Sequence, residues 1–179
     1  MTATEHARYA ARLRTPFAVL GVRTDGRAVT RITYLPRDER AHAPADAVAA
    51  KLAEELERYL ADPEFRFTVP LAPAGTPFQQ RVWQTLGAIA PGQSRTYGEV
   101  ARMVRSAPRA VGQACGANRI ALVIPCHRVV AAMGSIGGFM GTAGATRSTP
   151  RRDALADEGD PIRIKRWLLQ HEGYRFGAY

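Results

Sequence analysis

Only two of the 179 residues are cysteines, Cys115 and Cys126. Two thiols do not make a disulfide framework, so the chain suits a reducing compartment in which a free thiol persists. Long apolar runs are also missing: none approaches the ~20 residues that a bilayer-spanning helix needs. The N-terminal stretch MTATEHARYAARLR has no apolar core of a signal peptide. The expectation is a soluble, cytoplasmic protein with no membrane contact. Lysine is almost absent: of 25 basic side chains only Lys51 and Lys165 are lysines. Acidic side chains are scarce in the second half. Residues 1–75 carry 11 basic and 10 acidic side chains, whereas residues 76–179 carry 14 and 6, so nearly all of the net charge of +9 lies there. That asymmetry points to a polyanion partner for the second half, against the plainer reading of a solvated basic face.

What is present is enough apolar material, 46% of residues, for one medium domain or two small ones sharing an interface. FAVLGV, the turn signal TDGR (24–27) and AVTRITYL predict strands within 10–35. HAPADAVAAKLAEELERYLADP (42–63) predicts an amphipathic helix capped by Asp46, with Leu52, Leu56, Tyr59 and Leu60 on its apolar face. FRFTVPLAP (65–73) predicts one more strand. Near residue 75, APAGTP is a linker with helix-starting chemistry, Thr76 as cap and Pro77 as first helical residue. The expected organisation is therefore an α/β N-terminal domain, 1–75, and a mostly helical C-terminal domain, 76–179.

In the second part PFQQRVWQTLGAI (77–89) places Phe78, Val82, Trp83, Leu86 and Ile89 on one stripe. APGQS breaks it, and Thr96 can cap a helix over 96–105. SAP then turns into a second short helix, PRAVGQACGAN. Two short helices joined by a tight turn make a helix-turn-helix candidate. The second is rich in Ala and Gly and starts with Arg109. Small residues allow close approach of a helix, either to another surface or to the interior. Seven arginines and one acid between Phe78 and Arg128 favour DNA as that surface. Residues 134–161 read as a long loop, with its Gly-, Pro- and charge-rich tract at 142–161. IRIKRWLLQHEG closes the chain as a helix with Ile164, Trp167, Leu168 and His171 on one side, stopped by Gly173.

The chemistry is concentrated in ALVIPCHRVV. A cysteine is mostly thiol at neutral pH, with a pKa near ~8.5, and needs a base or a positive charge to become a nucleophile. Cys126 and His127 are adjacent, and neighbours do not face each other in a helix or a strand. The pair can work through a turn at Pro125 or across a bridging water. A histidine base is usually held by a carboxylate, and Glu172, at the end of the last helix, is the acid best placed for that. The plainer reading is a buried, inert cysteine.

IPCHRVV resembles the active-site signature of the O6-alkylguanine-DNA alkyltransferases, also called methylated-DNA–protein-cysteine methyltransferases. GTPFQQRVWQTL, TYGEVA, RAVGQACGAN and KRWLLQHEG occur in that family's order, and RAVGQACGANRIALVIPCHRVV is especially similar to the C-terminal domain of the bacterial Ada protein. The resemblance runs from about residue 64 to 141 and from 162 to 173. It implies a ribonuclease H-like N-terminal domain of small sheet plus helix, then a C-terminal domain whose helix-turn-helix binds the minor groove of double-stranded DNA. It implies Cys126 as irreversible acceptor of an alkyl group from O6 of guanine, and from O4 of thymine, in a single turnover. His127 would be the water-linked base and Glu172 the carboxylate behind it, with Asn118 tying the recognition helix to the active-site turn. Arg109 would fill the space of the flipped-out base, Tyr97 would help to rotate the nucleotide, and Ala110, Gly112 and Ala114 would lie against DNA. Arg128 looks like the signature's structural arginine and is grouped with the DNA-binding residues. Val129, Phe139, Met140 and Gly141 would line the guanine pocket. No cofactor and no metal are expected, and the protein would act as a monomer.

The chain also departs from the pattern. Phe139 stands where many members have tyrosine, which removes a hydroxyl that could reach the leaving guanine oxygen. The turn between Tyr97 and Arg109 is slightly shorter, and the 142–161 loop, with Arg147, Arg151 and Arg152, is longer. Cys115 reads as a small packing residue. The rival readings are a non-catalytic sensor of alkyl lesions, a Cys–His hydrolase unrelated to DNA, and a transcription regulator.

Overall fold

Two local signals fold the first hairpin. In TDGR the Asp25 carboxylate accepts hydrogen bonds from the N–H groups of Arg27 and Ala28, and Gly26 takes the left-handed conformation. The strands β1 (Ala11–Arg14), β2 (Val19–Thr24) and β3 (Val29–Leu35) form an antiparallel sheet in chain order. Leu20 lies opposite Leu13 and Tyr34, and Val22 opposite Ala11 and Ile32. These positions belong to a computed structural model that describes residues 9–132, 135–140 and 160–175. Gly141 and the loop up to residue 159, with its three arginines, lie outside the described residues.

Asp46 caps α1 (Ala47–Ala61), accepting from the Ala49 N–H at 2.8 Å, while the Thr24 hydroxyl donates to its other oxygen and ties the helix start to β2. The buried face of α1 is Val48, Ala49, Leu52, Leu56 and Tyr59. Each of the larger ones contributes roughly 1.5–3 kcal/mol by leaving water. Leu60 is only half-buried.

The strand expected over 65–73 is not formed. Only one bridge is made, between Leu71 and Val29. The reason is local: Pro70 has no N–H, and the N–H groups of Thr68 and Val69 both go to the buried Glu55 carboxylate. The segment is held by a side chain of α1 instead of by a ladder.

Thr76 and Gln79 form a reciprocal capping box at the start of α2 (Pro77–Gly87), whose Val82, Trp83 and Leu86 are buried. A second capping box, Thr96 with Glu99, starts α3 (Tyr97–Met103). The turn after it, with Arg105 at a positive φ of 53°, leads into α4 (Pro108–Gly116). The two-residue strand β4 (Arg95–Thr96) pairs in parallel with β5 (Val129–Val130), directly after the Cys-His-Arg triplet. The last helix, α5 (Pro161–His171), begins at Pro161 with Asp160 as cap, so the end of the expected loop is already helical. Gly173, at a φ of 78°, stops it as expected. Apart from a small separate cluster of Tyr9, Val19 and Leu35, buried apolar side chains of both halves form one contiguous cluster, and the Ile32 N–H of β3 donates to the Arg119 carbonyl at 2.8 Å. Among the described residues no helix is long and apolar enough to cross a membrane.

Candidate active site

Cys126, His127 and Arg128 form a single 3-10 turn, entered from Pro125 at φ −82° and ψ 63°. Three residues per turn send successive side chains in different directions, which resolves how adjacent residues serve one site. Cys126 lines a narrow pocket with Tyr97, Gly112, Phe139 and Met140. His127 and Arg128 turn the other way, into the protein, toward Glu172.

The loop before the turn is held against its own preference. Leu122 sits at a φ of 88°, a conformation costing about 1 kcal/mol or more for a non-glycine residue. Asn118 is its brace. Its side-chain amide donates to the Ile124 carbonyl and its oxygen accepts from the Ile120 N–H, each at 2.9 Å, and it also hydrogen-bonds Cys126. Asn118 thus links the end of α4 to the turn.

Glu172 collects four donors on one buried carboxylate. Oε1 accepts from His127 Nε2, from an Arg128 terminal nitrogen and from the Tyr59 hydroxyl, and Oε2 from Arg128 Nε, all at 2.9 Å. Burial alone would raise its pKa, but His127 and Arg128 outweigh burial and hold it at about 2. A carboxylate only accepts, so His127 carries its proton on Nε2 and presents the Nδ1 lone pair. Burial lowers the His127 pKa, against the pull of Glu172, so the ring is neutral and able to take a proton. His127 Nδ1 is buried and has no protein partner.

Burial also pushes the Cys126 thiol up, and the Asn118 hydrogen bond and the charge on Lys165 pull it back. At rest Cys126 is a thiol that needs a base. Cys115, which lines the same pocket, is pushed up to about 12 by burial and by charge on Cys126, so it stays protonated.

Lys165 is the site residue that the sequence reading missed. It is fully buried, and its ammonium donates to the carbonyls of Val129 at 2.6 Å and Gly138 at 2.9 Å, with the Tyr97 ring 5.8 Å away. Desolvation lowers its pKa to about 8. A signal existed: the buried stripe of α5 is Ile164, Lys165, Leu168 and Leu169, so the lysine sits four residues from Leu169 on the inward row. The expected Trp167 and His171 are half-buried instead and stack on each other at 4.8 Å. Tyr59, the fourth donor to Glu172, was read only as core.

The pocket wall is equally built. Gly137, at a φ of 69°, is required, because a Cβ there would lie 3.1 Å from the Ala131 nitrogen and from the Tyr97 ring. The Tyr97 hydroxyl donates to the Gly138 carbonyl at 3.1 Å. Val129 is buried, its carbonyl taken by Lys165, and Met140 is exposed at the pocket mouth with a φ of 51°. On α4, Arg109 is exposed and Ala110 and Gly112 are half-buried. Two expected DNA contacts are corrected. Ala114 is 1% exposed and faces α2, its carbonyl accepting from Trp83 Nε1, because helical periodicity puts Val111, Ala114 and Cys115 on the inner side. Arg128 is no surface group either: a buried Glu172 needs a counter-charge, and the guanidinium is spent on it and on the Ile89 carbonyl.

The description "6-O-methylguanine DNA methyltransferase, DNA binding domain" belongs to the family model that matches residues 77–174. The chain belongs to this family. A methylated-DNA–protein-cysteine methyltransferase of Methanosarcina mazei is 36% identical over 134 residues, 71% of this chain and 85% of that protein. Its counterpart from Shigella flexneri is 40% identical over 126 residues, 69% of this chain and 63% of that protein. The crystal structure of Mycobacterium tuberculosis OGT in complex with DNA superposes with a TM-score of 0.71 at 33% identity, over 90% of each chain. The likeness of this 6-O-methylguanine DNA methyltransferase family member to that structure includes the N-terminal sheet, which the family model does not reach.

Proposed function

We propose that the protein repairs DNA by moving a methyl or larger alkyl group from O6 of guanine to Cys126 Sγ, once per molecule. The observation that carries this is the buried Glu172–His127 pair, with Nδ1 left open on the residue that follows a pocket-lining thiol. In this reading a water relays the thiol proton to His127 Nδ1. The sulfur then attacks the alkyl carbon in line, the carbon–O6 bond breaks, and guanine leaves as a proton arrives at O6. The thioether is stable, so nothing returns the thiol. O4-alkylthymine presents the same type of alkyl–oxygen bond and is a second substrate of the proposal.

A duplex hides O6 inside its stack, so the target nucleotide has to be flipped out. The cavity beside Cys126, about 10 Å³, is too small for a purine, so entry of the base requires its walls to part. We assign α3 and α4 as a helix-turn-helix set in the minor groove. Exposed Arg109 fills the vacated stack, Tyr97 guides the nucleotide, and Ala110 and Gly112 give close approach; the basic balance of residues 76–179 supports a phosphate-bearing partner. Val129 and Met140 supply backbone groups for the guanine edge, with Phe139 stacking behind it. The division near residue 75 into a ribonuclease H-like α/β part and a DNA-binding part, action as a monomer and a cytoplasmic location complete the reading.

Intact-protein mass spectrometry after incubation with an oligonucleotide carrying O6-methylguanine tests it, beside Cys126→Ala. A gain of one methyl mass, saturating at one per protein and absent in the variant, is expected. Tight binding without a mass gain would mean a lesion sensor, a reading that Cys126 argues against and for which Phe139 leaves some room.

A further inference from the structure

Tyr34 is the one residue of the N-terminal sheet that reaches toward this chemistry. It lies on β3 two residues after Ile32, whose N–H is bonded to the Arg119 carbonyl, next to the bracing Asn118. Side chains two apart on a strand share a face, so the docked edge of the sheet carries the Tyr34 ring inward. There it packs edge-on against Phe139 of the pocket wall, centroids 6.2 Å apart, and against Phe17 at 6.1 Å. The ring keeps some exposure, but its hydroxyl oxygen is fully buried and has no hydrogen-bond partner in the protein. Burial pushes the phenol well above its ordinary range, and a Cys126 thiolate adds to that shift. Tyr34 in turn raises Tyr59, the tyrosine bonded to Glu172. The ring thus abuts the wall of the pocket that Cys126 lines.

Buried polar groups without partners are rare and costly, about 1–3 kcal/mol each. Four side-chain atoms of this kind occur among the described residues; one, Tyr34 Oη, is on a ring packed against Phe139 of the Cys126 pocket, and another, His127 Nδ1, is on the residue that follows Cys126. One is a donor and the other a lone pair. A buried water needs two to four polar partners, and the thiol, the imidazole and the phenol supply three.

We propose that Tyr34 is a positioning residue for the Cys126–His127 pair, its hydroxyl donating to one water that also accepts from Cys126 and donates to His127 Nδ1. The Cys126 S–H bond breaks as the water takes that proton and passes one of its own to Nδ1. The water is unchanged overall, and a thiolate–imidazolium pair results. Without Tyr34 the water keeps two partners and its orientation loosens. This deepens the function proposed above and rests on Cys126 being the alkyl acceptor. The titratable and charged groups around the relay are Tyr59 from α1, Tyr97 of α3, Cys115 of α4, Arg128 of the turn, Lys165 of α5 and Glu172 after it; the substitution below leaves all of them in place.

The test compares wild type with Tyr34→Phe in two reactions followed by mass spectrometry: transfer from O6-methylguanine in an oligonucleotide, and alkylation of Cys126 by iodoacetamide across pH, with peptide mapping to separate Cys115. Expected for Tyr34→Phe are rates about tenfold lower in both reactions, the worth of one hydrogen bond. The midpoint of the iodoacetamide profile rises by roughly one pH unit, oligonucleotide affinity is unchanged, and the melting temperature is equal or higher. Unchanged rates and midpoint would overturn the proposal, since an idle hydroxyl gives only the stability gain. A double-mutant cycle adds a second check: in a His127→Gln background the Tyr34→Phe effect should vanish, and a loss of the same size there would also overturn it. The iodoacetamide arm needs no DNA. Absence of transfer in the wild type would therefore sink the alkyl-acceptor reading alone, while the midpoint still decides the role of Tyr34.

Discussion

Glu55 and Glu172 are buried to nearly the same degree, 5% and 6% exposed, one in each half of the chain. Burial opposes the charge of both. Hydrogen-bond donors outweigh it in both, so each lies below the ordinary glutamate range. The donors differ in kind. Glu55 takes the N–H groups of Thr68 and Val69 and the Thr68 hydroxyl, groups that do not exchange protons at any working pH, with only the exposed Lys51 ammonium as a charged neighbour, 3.7 Å away. Glu172 takes a histidine, an arginine and a tyrosine. One carboxylate holds a stretch of backbone that cannot pair as a strand. The other sets the tautomer and orientation of His127, the base of the proposed reaction. Residue type and burial do not distinguish these two carboxylates, and their buried titratable partners do.

The largest contrast is expected from replacing each with glutamine. Glu172→Gln leaves Arg128 buried without its counter-charge, which costs about 3–5 kcal/mol. It also frees the His127 tautomer, so single-turnover transfer should fall about 100-fold or more. Urea unfolding and mass-spectrometric kinetics read the two effects separately; a rate per folded molecule equal to wild type would erase the distinction drawn here. Next in size is the acid limb of stability. The folded pKa of Glu172 is depressed from 4.5 to about 2. Its stabilisation is therefore fully present above about pH 4.5 and is lost as pH falls toward 2, on the order of 3 kcal/mol in all. Urea midpoints at pH 5 and pH 3 should differ clearly less in Glu172→Gln than in wild type.

Glu55→Gln is the structural counterpart. One oxygen remains to accept and an amide replaces the other, so a stability loss of about 1–3 kcal/mol is expected, with the transfer rate per folded molecule kept within about twofold. A rate loss as large as that of Glu172→Gln would show the two carboxylates to be coupled. The smallest effect belongs to Tyr59→Phe, which removes one of the four donors to Glu172. About 1 kcal/mol and a rate change of a few-fold are expected, with the His127 tautomer preserved.

The legible parts of the molecule are those whose cause lies within a few residues. Asp46, Thr76 and Thr96 cap helices through bonds to N–H groups three positions on, and Gly173 ends one through its own backbone conformation. Pattern reading suffices for these. It fails at FRFTVPLAP, where β-branched and aromatic residues promise a strand but a glutamate 13 residues earlier takes the N–H groups. It fails again at Lys165, which by residue type belongs in water and is buried because two carbonyls from distant segments meet its ammonium. Arg128 and Ala114 were turned outward in the reading because basic and small residues beside an expected DNA surface suit it; the ion pair and the helical period turn them in.

The amino-acid sequence by itself determined the helix caps, the turn residues and the family motif, and with the motif the identity of the thiol, the imidazole and the carboxylate. All of these depend on residue type and short-range bonding. Tertiary structure alone decided which groups surround them. The partner of Glu172 on α1 lies 113 residues away in the chain, and Tyr34 comes from a sheet edge docked beside Asn118. Such neighbours are brought together by burial of apolar surface, which is non-directional and leaves no local spacing to read.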